Sequence, residues 1–124
     1  MSTRSTISVF EKNIYKTVYA HNDGYFSGVG KTLMENYNTL EKISPVILNG
    51  DLSSLDTNLE STIFYHRDRG ENLVDTNFSQ YKLIGDIPAE EYNYVYSGST
   101  WFFFNGSSNR ELKILTKELV DGNA

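Results

Sequence analysis

Two pairs of short strand-like segments, one near each end of the chain, constrain the fold more than any other feature. Residues 5–10 alternate Thr6, Ser8 and Phe10 with Ile7 and Val9, and a second strand-like run, 14–20, follows after three polar residues. Residues 91–96 also alternate, and the aromatic run 100–104 follows after a Ser-Gly-Ser turn. Alternation with a period of two, followed by a short turn and a second strand-like run, is typical of a β-hairpin. The pattern therefore predicts two antiparallel hairpins and argues against β-α-β units.

The part of the chain between the hairpins begins with helical spacing. Apolar residues predict one helix that begins at Val29 or Gly30 and a second that runs from about residue 38 or 39 to residue 49. Pro45 lies inside the second helix and is expected to kink it or to start a new turn at Ser44. Gly50 follows as the expected C-terminal cap.

Three further segments complete the predicted order. We expect a strand over residues 61–66, a short helix over 77–83, and a final helix or strand end within 112–119. The predicted fold class is α+β, a single domain over residues 1–124 with a mainly antiparallel sheet of about five strands and two or three helices.

Composition excludes several classes of protein. The chain has 124 residues, a formal net charge of -5 and no cysteine. The acidic balance argues against a duplex nucleic-acid binder, and the lack of cysteine excludes disulfides, thiolate nucleophiles and cysteine zinc sites. No run approaches the ~18 apolar residues that span a membrane, and residues 1–6 lack the apolar stretch of a secretory signal. We therefore expect a cytoplasmic protein that binds neither duplex nucleic acid nor membrane.

The glycine-rich segment from Gly24 to Thr32 partly matches a phosphate-binding P-loop. It ends in Gly-Lys-Thr between a predicted strand and a predicted helix, but five residues separate Gly24 from Gly30. A P-loop has four residues there, so that its backbone N–H groups close around the phosphates. We interpret the segment as a glycine-rich turn into a helix, which holds an anion only weakly.

Two cationic clusters are candidates for phosphate binding. Arg67 and Arg69 flank an aspartate, and two such arginines can clamp a phosphate, whereas a solvated turn with internal ion pairs is the alternative. Arg110 and Lys113 follow a loop rich in Asn and Ser, close in sequence to the aromatic run 101–104. Cations beside rings and amides suit a nucleotide, whereas a helix-start charge beside a core strand is the alternative.

Residues that would support catalysis are few. The chain has two histidines, His21 and His66, and neither belongs to a metal-binding spacing or a nucleophile motif. His21 with Asp23 could form an acid–base pair, but a histidine that bonds its own loop is the simpler interpretation. We therefore predict a protein that is not an enzyme and has no metal or cofactor.

Several strings, in the same order along most of the chain, match a family of small phage and prophage proteins. They are the start Met1–Ile7, the string Tyr19–Phe26, which is similar to the family's Tyr-Arg-His-Trp-Asp-Gly-Tyr-Pro, the segments Gly50–Leu55 and Tyr65–Glu71, and a final hairpin with Tyr92–Tyr96 and Trp101. On these strings the chain resembles the first described type of phage Thoeris anti-defence sponge. Ala20, Asn22 and Phe26 stand where the family has Arg, Trp and Pro, so anything those positions carry in the family is altered here.

This resemblance implies a function and an assembly. Such proteins are non-catalytic; they bind cyclic ADP-ribose isomers made by bacterial TIR-domain proteins and keep them away from the effector. Some members also bind cyclic oligonucleotides at separate sites created by oligomer assembly. The resemblance therefore implies a homo-oligomer, a dimer or a hexamer, with the ligand near a subunit interface.

The residues expected to bind such a nucleotide match its chemistry. Cations neutralise the phosphates, aromatic rings stack on adenine, and an amide reads the edge of the base or ribose. The candidates are the cations Arg110, Arg67, Arg69 and Lys113, the rings Phe78, Tyr94, Trp101 and Phe103, and the amide Asn93.

Three other functions stay open at this point. An acidic, aromatic-rich surface also suits a phage inhibitor that acts by protein–protein contact on a host defence protein. A nucleotide-processing enzyme that uses His21 and Asp23 is the second, and an assembly protein without a ligand is the third. A captured protein partner without any small molecule, turnover that is lost in His21→Ala, and oligomerisation without any ligand would distinguish them.

Overall fold

A computed structural model of the chain describes residues 2–69, 78–105 and 110–122. Within these ranges the strands are β1 (Ser5–Glu11), β2 (Ile14–Ala20), β3 (Leu52–Ser54), β4 (Ile63–Phe64), β5 (Ser79–Tyr81), β6 (Tyr92–Ser97), β7 (Thr100–Phe104) and β8 (Lys113–Ile114). The helices are α1 (Lys31–Asn36), α2 (Leu40–Asn49), α3 (Tyr65–Arg69) and α4 (Lys117–Val120), with a π-helical turn over Phe26–Gly30 and a 3₁₀ turn over Ile84–Asp86.

The two predicted hairpins form, and they lie side by side in one sheet. β1 pairs with β2, and β6 pairs with β7, both antiparallel. β1 and β6 are parallel neighbours, with Ser5 beside Tyr92 and Val9 beside Tyr96. The order across the sheet is β4-β3-β2-β1-β6-β7-β8, and β5 also pairs with β2.

The α+β class is confirmed, while the sheet differs in detail from the expected five mainly antiparallel strands. Within the described ranges it is a mixed sheet of eight strands, since β1–β6 and β2–β3 pair in parallel. The alternating pattern identifies strands that pair through a short turn. It does not determine how the second hairpin returns to the first, because the long connection between β2 and β6 decides that direction.

Different parts of the chain cover the two faces of the sheet. On one face, Ile7 and Tyr94 pack in a core with Leu33 of α1 and Ile43 of α2, and all four are fully buried. On the other face, a smaller apolar cluster contains Val95, Phe104 and Ile87. Ile87 belongs to residues 79–90, which we call the cover segment.

Two local predictions were wrong. The strand expected over residues 61–66 is limited to β4, and the chain turns into α3 at Tyr65. This turn is stabilised because the carboxylate of Asp68 accepts the N–H of Phe64 at 2.7 Å. The helix expected over residues 77–83 begins outside the described residues, and its remainder contains β5, which pairs with β2.

The second predicted helix and both of its ends are confirmed. The side-chain oxygen of Thr39 caps α2 by accepting the N–H of Lys42 at 3.2 Å. The helix continues through Pro45 and is followed by Gly50 at a φ of 84°, a left-handed value that suits glycine. Both alternatives for the C-terminal segment occur, with β8 first and α4 after it.

Candidate ligand-binding surface

The glycine-rich segment forms the π-helical turn that presents Phe26. The N–H of Val29 donates to the carbonyl oxygen of Asp23 at 2.7 Å and closes this turn. A Cβ at Gly28 would collide with the same carbonyl oxygen, so the close approach requires glycine. This geometry agrees with a turn into a helix, as expected from the spacing that departs from a P-loop.

Phe26 belongs to a cluster of three half-buried aromatic rings. Its ring centroid lies 5.1 Å from that of Tyr92 and 4.9 Å from that of Phe103, and both contacts are edge-to-face. Edge-to-face pairs contribute about 0.5–1.5 kcal/mol each beyond their burial. All three rings pack against the core and are partly open to solvent. The cluster is therefore a preformed aromatic platform.

Lys113 lies beside this platform. It is directly opposite Phe103 in the β7–β8 pair, so the two side chains project from the same face of the sheet. Lys113 is exposed and makes no hydrogen bond or ion pair with another described residue. We call Phe26, Tyr92, Phe103 and Lys113 the aromatic surface. Of the nine ligand-binding candidates predicted from the sequence, Phe103 and Lys113 belong to the aromatic surface.

Asn93 is occupied inside the chain. Its side-chain oxygen accepts from the Thr6 hydroxyl at 2.9 Å and from the N–H of Glu90 at 2.9 Å. Its amide nitrogen donates to the carbonyl oxygens of Glu90 at 3.0 Å and Phe104 at 3.2 Å. The side chain is fully buried. These four bonds use its hydrogen-bonding capacity, which corrects the expectation that Asn93 reads a ligand.

Tyr94 and Trp101 are core residues. The Tyr94 hydroxyl donates to the carbonyl oxygen of Gly24 at 2.6 Å, and burial raises the pKa of this phenol far above its ordinary value. The Trp101 indole N–H donates to the carbonyl oxygen of Tyr37 at 3.0 Å, and the ring is 4% exposed. Neither ring has a free face, which corrects the expectation that one of them stacks on a base.

Arg110 holds the cover segment. Its guanidinium donates to the carbonyl oxygens of Ile84 at 2.8 Å and Ile87 at 2.7 Å. The same group lies 5.5 Å from the centroid of the Phe104 ring. These contacts fix the half-buried guanidinium against the chain itself, so the geometry gives Arg110 a structural role where the sequence suggested a phosphate contact.

Arg67 is engaged in its own turn. It donates to the carbonyl oxygens of Leu59 at 2.9 Å and Thr62 at 2.6 Å, and to both carboxylate oxygens of Asp68 at 2.9 Å. The hydrogen bond from Arg67 is the main cause that holds the pKa of Asp68 below its ordinary value. This is the ion-paired turn that was the alternative to a phosphate clamp. The Arg69 side chain lies outside the described part of the chain.

Phe78 lines a cleft that is separate from the aromatic surface. The cleft measures about 220 Å³ and is also lined by Ile47, Leu48 and Lys16. The Lys16 ammonium lies 5.8 Å from the centroid of the Phe78 ring and 3.0 Å from a carboxylate oxygen of Glu11. The described residues that line this cleft include Phe78 but none of the other eight candidates, so the structure does not bring Phe78 together with them.

His21 bonds its own hairpin and not Asp23. Its Nδ1 lies 2.6 Å from the hydroxyl oxygen of Tyr19, while a carboxylate oxygen of Asp23 accepts from the Tyr25 hydroxyl at 3.2 Å. The two groups that were considered as an acid–base pair therefore have different partners.

Two members of the aromatic surface, Tyr92 and Phe26, were missed by the sequence analysis. Tyr92 lies two residues before Tyr94 and so on the same face of β6, and Phe103 is opposite Tyr94 in the second hairpin. The register of this hairpin therefore indicated that Tyr92 lies on the same face as the candidate Phe103. No local pattern indicates Phe26, because the π-helical turn brings its ring to the sheet from the other end of the sequence.

Neither a metal-binding cluster nor a membrane-spanning helix occurs in residues 2–69, 78–105 and 110–122. These ranges contain no group of three or more histidine and carboxylate side chains that could hold a metal ion. In the same ranges, no helix has both the length and the apolar character that crossing a bilayer requires.

Comparison with known proteins gives no relative for this chain. No family model, no curated protein and no solved structure matches it.

Proposed function

We propose that this chain is a non-catalytic phage anti-defence protein that binds and sequesters a cyclic ADP-ribose-type nucleotide made by host TIR-domain proteins. The family strings along the sequence support this proposal. The observation that carries it is the aromatic surface, where three packed rings and a cation without a partner among the described residues lie together on one face of the sheet. Sequestration withholds the signal from the Thoeris effector and needs no general base.

The chemistry of the aromatic surface suits this class of ligand. An aromatic ring stacks on a base with about 1–3 kcal/mol, whatever the base, because every base has a π-face. The exposed Lys113 ammonium can neutralise one phosphate next to the Phe103 ring. The net charge of -5 does not oppose this arrangement, because only a local cation is needed.

One chain alone supplies too little affinity for a sponge. To compete with an effector, it must bind at nanomolar level, or about -12 kcal/mol. One stacking platform and one cation contribute only a few kcal/mol of this total. We therefore propose that a second copy closes the site, in a dimer or hexamer, so that ligand and rings are desolvated together. The same assembly would create any separate site for cyclic oligonucleotides.

The decisive experiment measures small molecules released by heat. The purified protein is mixed with lysate from cells that make TIR-derived cyclic ADP-ribose isomers, then washed and denatured, and the supernatant is analysed by mass spectrometry. Intact signal in the supernatant supports sequestration. Breakdown products alone would identify an enzyme, and a signal that stays free in the lysate would exclude sequestration of these isomers.

A pair of charge variants tests the aromatic surface itself. Lys113→Glu places a carboxylate next to the phosphate position and should weaken binding of the isolated signal at least about ten-fold. Lys42→Glu makes the same change at an exposed residue of α2, outside the aromatic surface, and should leave binding unchanged. Equal affinities of the two variants would remove the aromatic surface from the site.

A second candidate function is contact with a host defence protein. Leu83 and Ile114 are 64% and 59% exposed, and Ile114 lies opposite the half-buried Phe102 in the sheet. Exposed apolar side chains of this kind suit a protein partner. In a pull-down from host lysate, capture of a defence protein that is lost in Ile114→Ser, with no nucleotide bound, would favour this function over sequestration.

A further inference from the structure

A small cleft opens on the sheet face opposite the aromatic surface. It lies between β2 and the cover segment and measures about 140 Å³. Its walls include Thr17 and Tyr19 of β2, Tyr81 of β5, and Glu90 at the end of the cover segment. Tyr19 is opposite Thr6 in the β1–β2 pair, whereas the core residue Val18 points to the other face. The cleft and the aromatic surface are therefore separate sites.

Strand pairing fixes the walls of this cleft. Ser79 is opposite Thr17, and Tyr81 is opposite Tyr15, so the cover segment is held to β2 in a defined register. At its other end, both backbone polar groups of Glu90 are bonded to the side chain of Asn93. A cleft whose walls are fixed on both sides is preformed, so ligand binding costs little conformational entropy.

The lining offers hydrogen-bonding groups that the described part of the chain leaves unused. The carboxylate of Glu90 and the hydroxyl of Tyr81 make no hydrogen bond or ion pair with another described residue. Asp51 uses one carboxylate oxygen to accept the N–H of Tyr19 at 2.9 Å, which leaves the other oxygen as an acceptor. The cleft thus presents several acceptors, a phenolic donor and two aromatic rings in a small volume.

The charges around the cleft disfavour an anionic ligand. Among the described residues, the lining contains the carboxylates of Glu90 and Asp51 and no basic side chain. A phosphate would therefore be repelled. A neutral group with several hydroxyls can donate hydrogens to both carboxylates without that repulsion.

The volume of the cleft limits the size of the ligand. Sites that enclose a drug-sized molecule measure roughly 300 Å³ or more, so this cleft has room for one small ring and not for a whole nucleotide. We propose that the cleft binds a neutral polyhydroxylated ring, a pentose or hexose, either free or as part of a larger molecule. Glu90 accepts from neighbouring ring hydroxyls, as acidic residues do at the ribose of bound dinucleotides, and the Tyr19 and Tyr81 rings flank the sugar. This site does not depend on the proposed sequestration function.

The test is a titration of the full-length protein followed by two-dimensional ¹H–¹⁵N NMR. The probes are D-ribose, methyl glucoside, adenosine, ethylammonium and inorganic phosphate. Saturable shifts at Thr17, Ser79 and Glu90 with either sugar, at about millimolar affinity, support the proposal. Tighter binding of adenosine than of ribose would identify the sugar as part of a nucleoside. No saturable shift up to about 0.1 M sugar, or shifts only with ethylammonium or phosphate, would overturn the proposal.

Matched variants assign the binding to the cleft. Glu90→Gln keeps the size and backbone bonds of the residue but removes the charge, and should weaken sugar binding about ten-fold, because hydrogen bonds to charged groups are roughly twice as strong. Glu91→Gln makes the same change at the exposed neighbour and should leave binding unchanged. Equal affinities of the two variants would place the sugar elsewhere. Tyr81→Phe removes the phenolic hydroxyl from the cleft and should also weaken sugar binding, independently of Glu90.

Discussion

The hydroxyl of Tyr94 donates a 2.6 Å hydrogen bond to the carbonyl oxygen of Gly24, which lies 70 residues earlier in the chain. The bond ties the central strand β6 to the segment that presents Phe26. A Cβ at Gly30 would lie 3.1 Å from the same hydroxyl oxygen, so the phenol fits into a space that glycines leave open. Through this bond, the buried strand β6 helps to hold in place the segment that contributes Phe26 to the aromatic surface.

Tyr94→Phe should therefore destabilise the protein. The variant leaves the buried Gly24 carbonyl without its partner, which costs about 1–3 kcal/mol of unfolding free energy, measurable by urea denaturation. Tyr25→Phe is the control, because it removes an exposed hydroxyl that bonds the exposed Asp23, and it should change stability little. A Tyr94→Phe protein as stable as the control would contradict this role.

The same phenol should limit stability at alkaline pH. Burial raises the pKa of Tyr94 above its ordinary value of 10.0. The unfolded chain then releases this proton near pH 10 while the folded chain keeps it, so the stabilisation is complete below pH 10 and is lost as the pH rises above it. Urea midpoints should fall between about pH 9 and 11, and fall less steeply in Tyr94→Phe. Parallel pH profiles of the two proteins would contradict the prediction.

Arg110→Ala should loosen the cover segment. The change removes the partner of two carbonyl oxygens, of Ile84 and Ile87, and should lower the unfolding free energy by about 2 kcal/mol. Lys113→Ala, in the next strand, removes an exposed cation without such bonds and should be nearly neutral in the same thermal or urea measurement. An Arg110→Ala protein as stable as wild type would contradict this structural role of the guanidinium.

The stabilisation that the Arg67–Asp68 ion pair gives to its turn should be lost in acid. The hydrogen bond from Arg67 holds the pKa of Asp68 below its ordinary value of 3.8. Because the folded pKa is lowered, the stabilisation is complete above pH 3.8 and is lost as the pH falls through the folded value. The stability difference between wild type and Asp68→Asn should shrink between about pH 4 and 2 in an acid titration. A difference that stays constant over this range would show that the ion pair contributes nothing.

Gly28→Ala should be far more damaging than Gly85→Ala. A Cβ at Gly28 meets the backbone carbonyl of Asp23, which cannot move without opening the π-helical turn, whereas a Cβ at Gly85 meets nothing within 4 Å. We expect a loss of about 3 kcal/mol or more at Gly28 and little change at Gly85, measured by thermal denaturation. The nucleotide signal should also bind Gly28→Ala more weakly, because the turn positions Phe26.

The sequence predicted the local elements of the fold well where pairing is local. Both hairpins follow from alternation and a short turn, and α2 follows from helical spacing with Thr39 and Gly50 at its ends. The parallel contact between β1 and β6 could not be predicted in this way. It pairs residues that are far apart in the sequence, such as Ser5 and Tyr92, and no short-range pattern indicates such a pairing.

The candidate site was predicted less well, because residue type does not report burial. Asn93, Tyr94 and Arg110 have the chemistry of a nucleotide site, yet each satisfies its polar atoms inside the chain. Trp101 and Phe103 of β7 make the same point. The two share a face, but Trp101 is covered and Phe103 lies half-open beside Lys113.

The sequence by itself determined the α+β class, the two hairpins and the glycine-rich turn, since these depend on contacts within a few residues. The tertiary structure alone decided which polar and aromatic side chains are used for packing and which are left at the surface. The reason is that hydrogen-bond partners such as Gly24 for Tyr94, or Ile87 for Arg110, come from distant parts of the chain. A residue is free to bind a ligand only after those partners have been assigned.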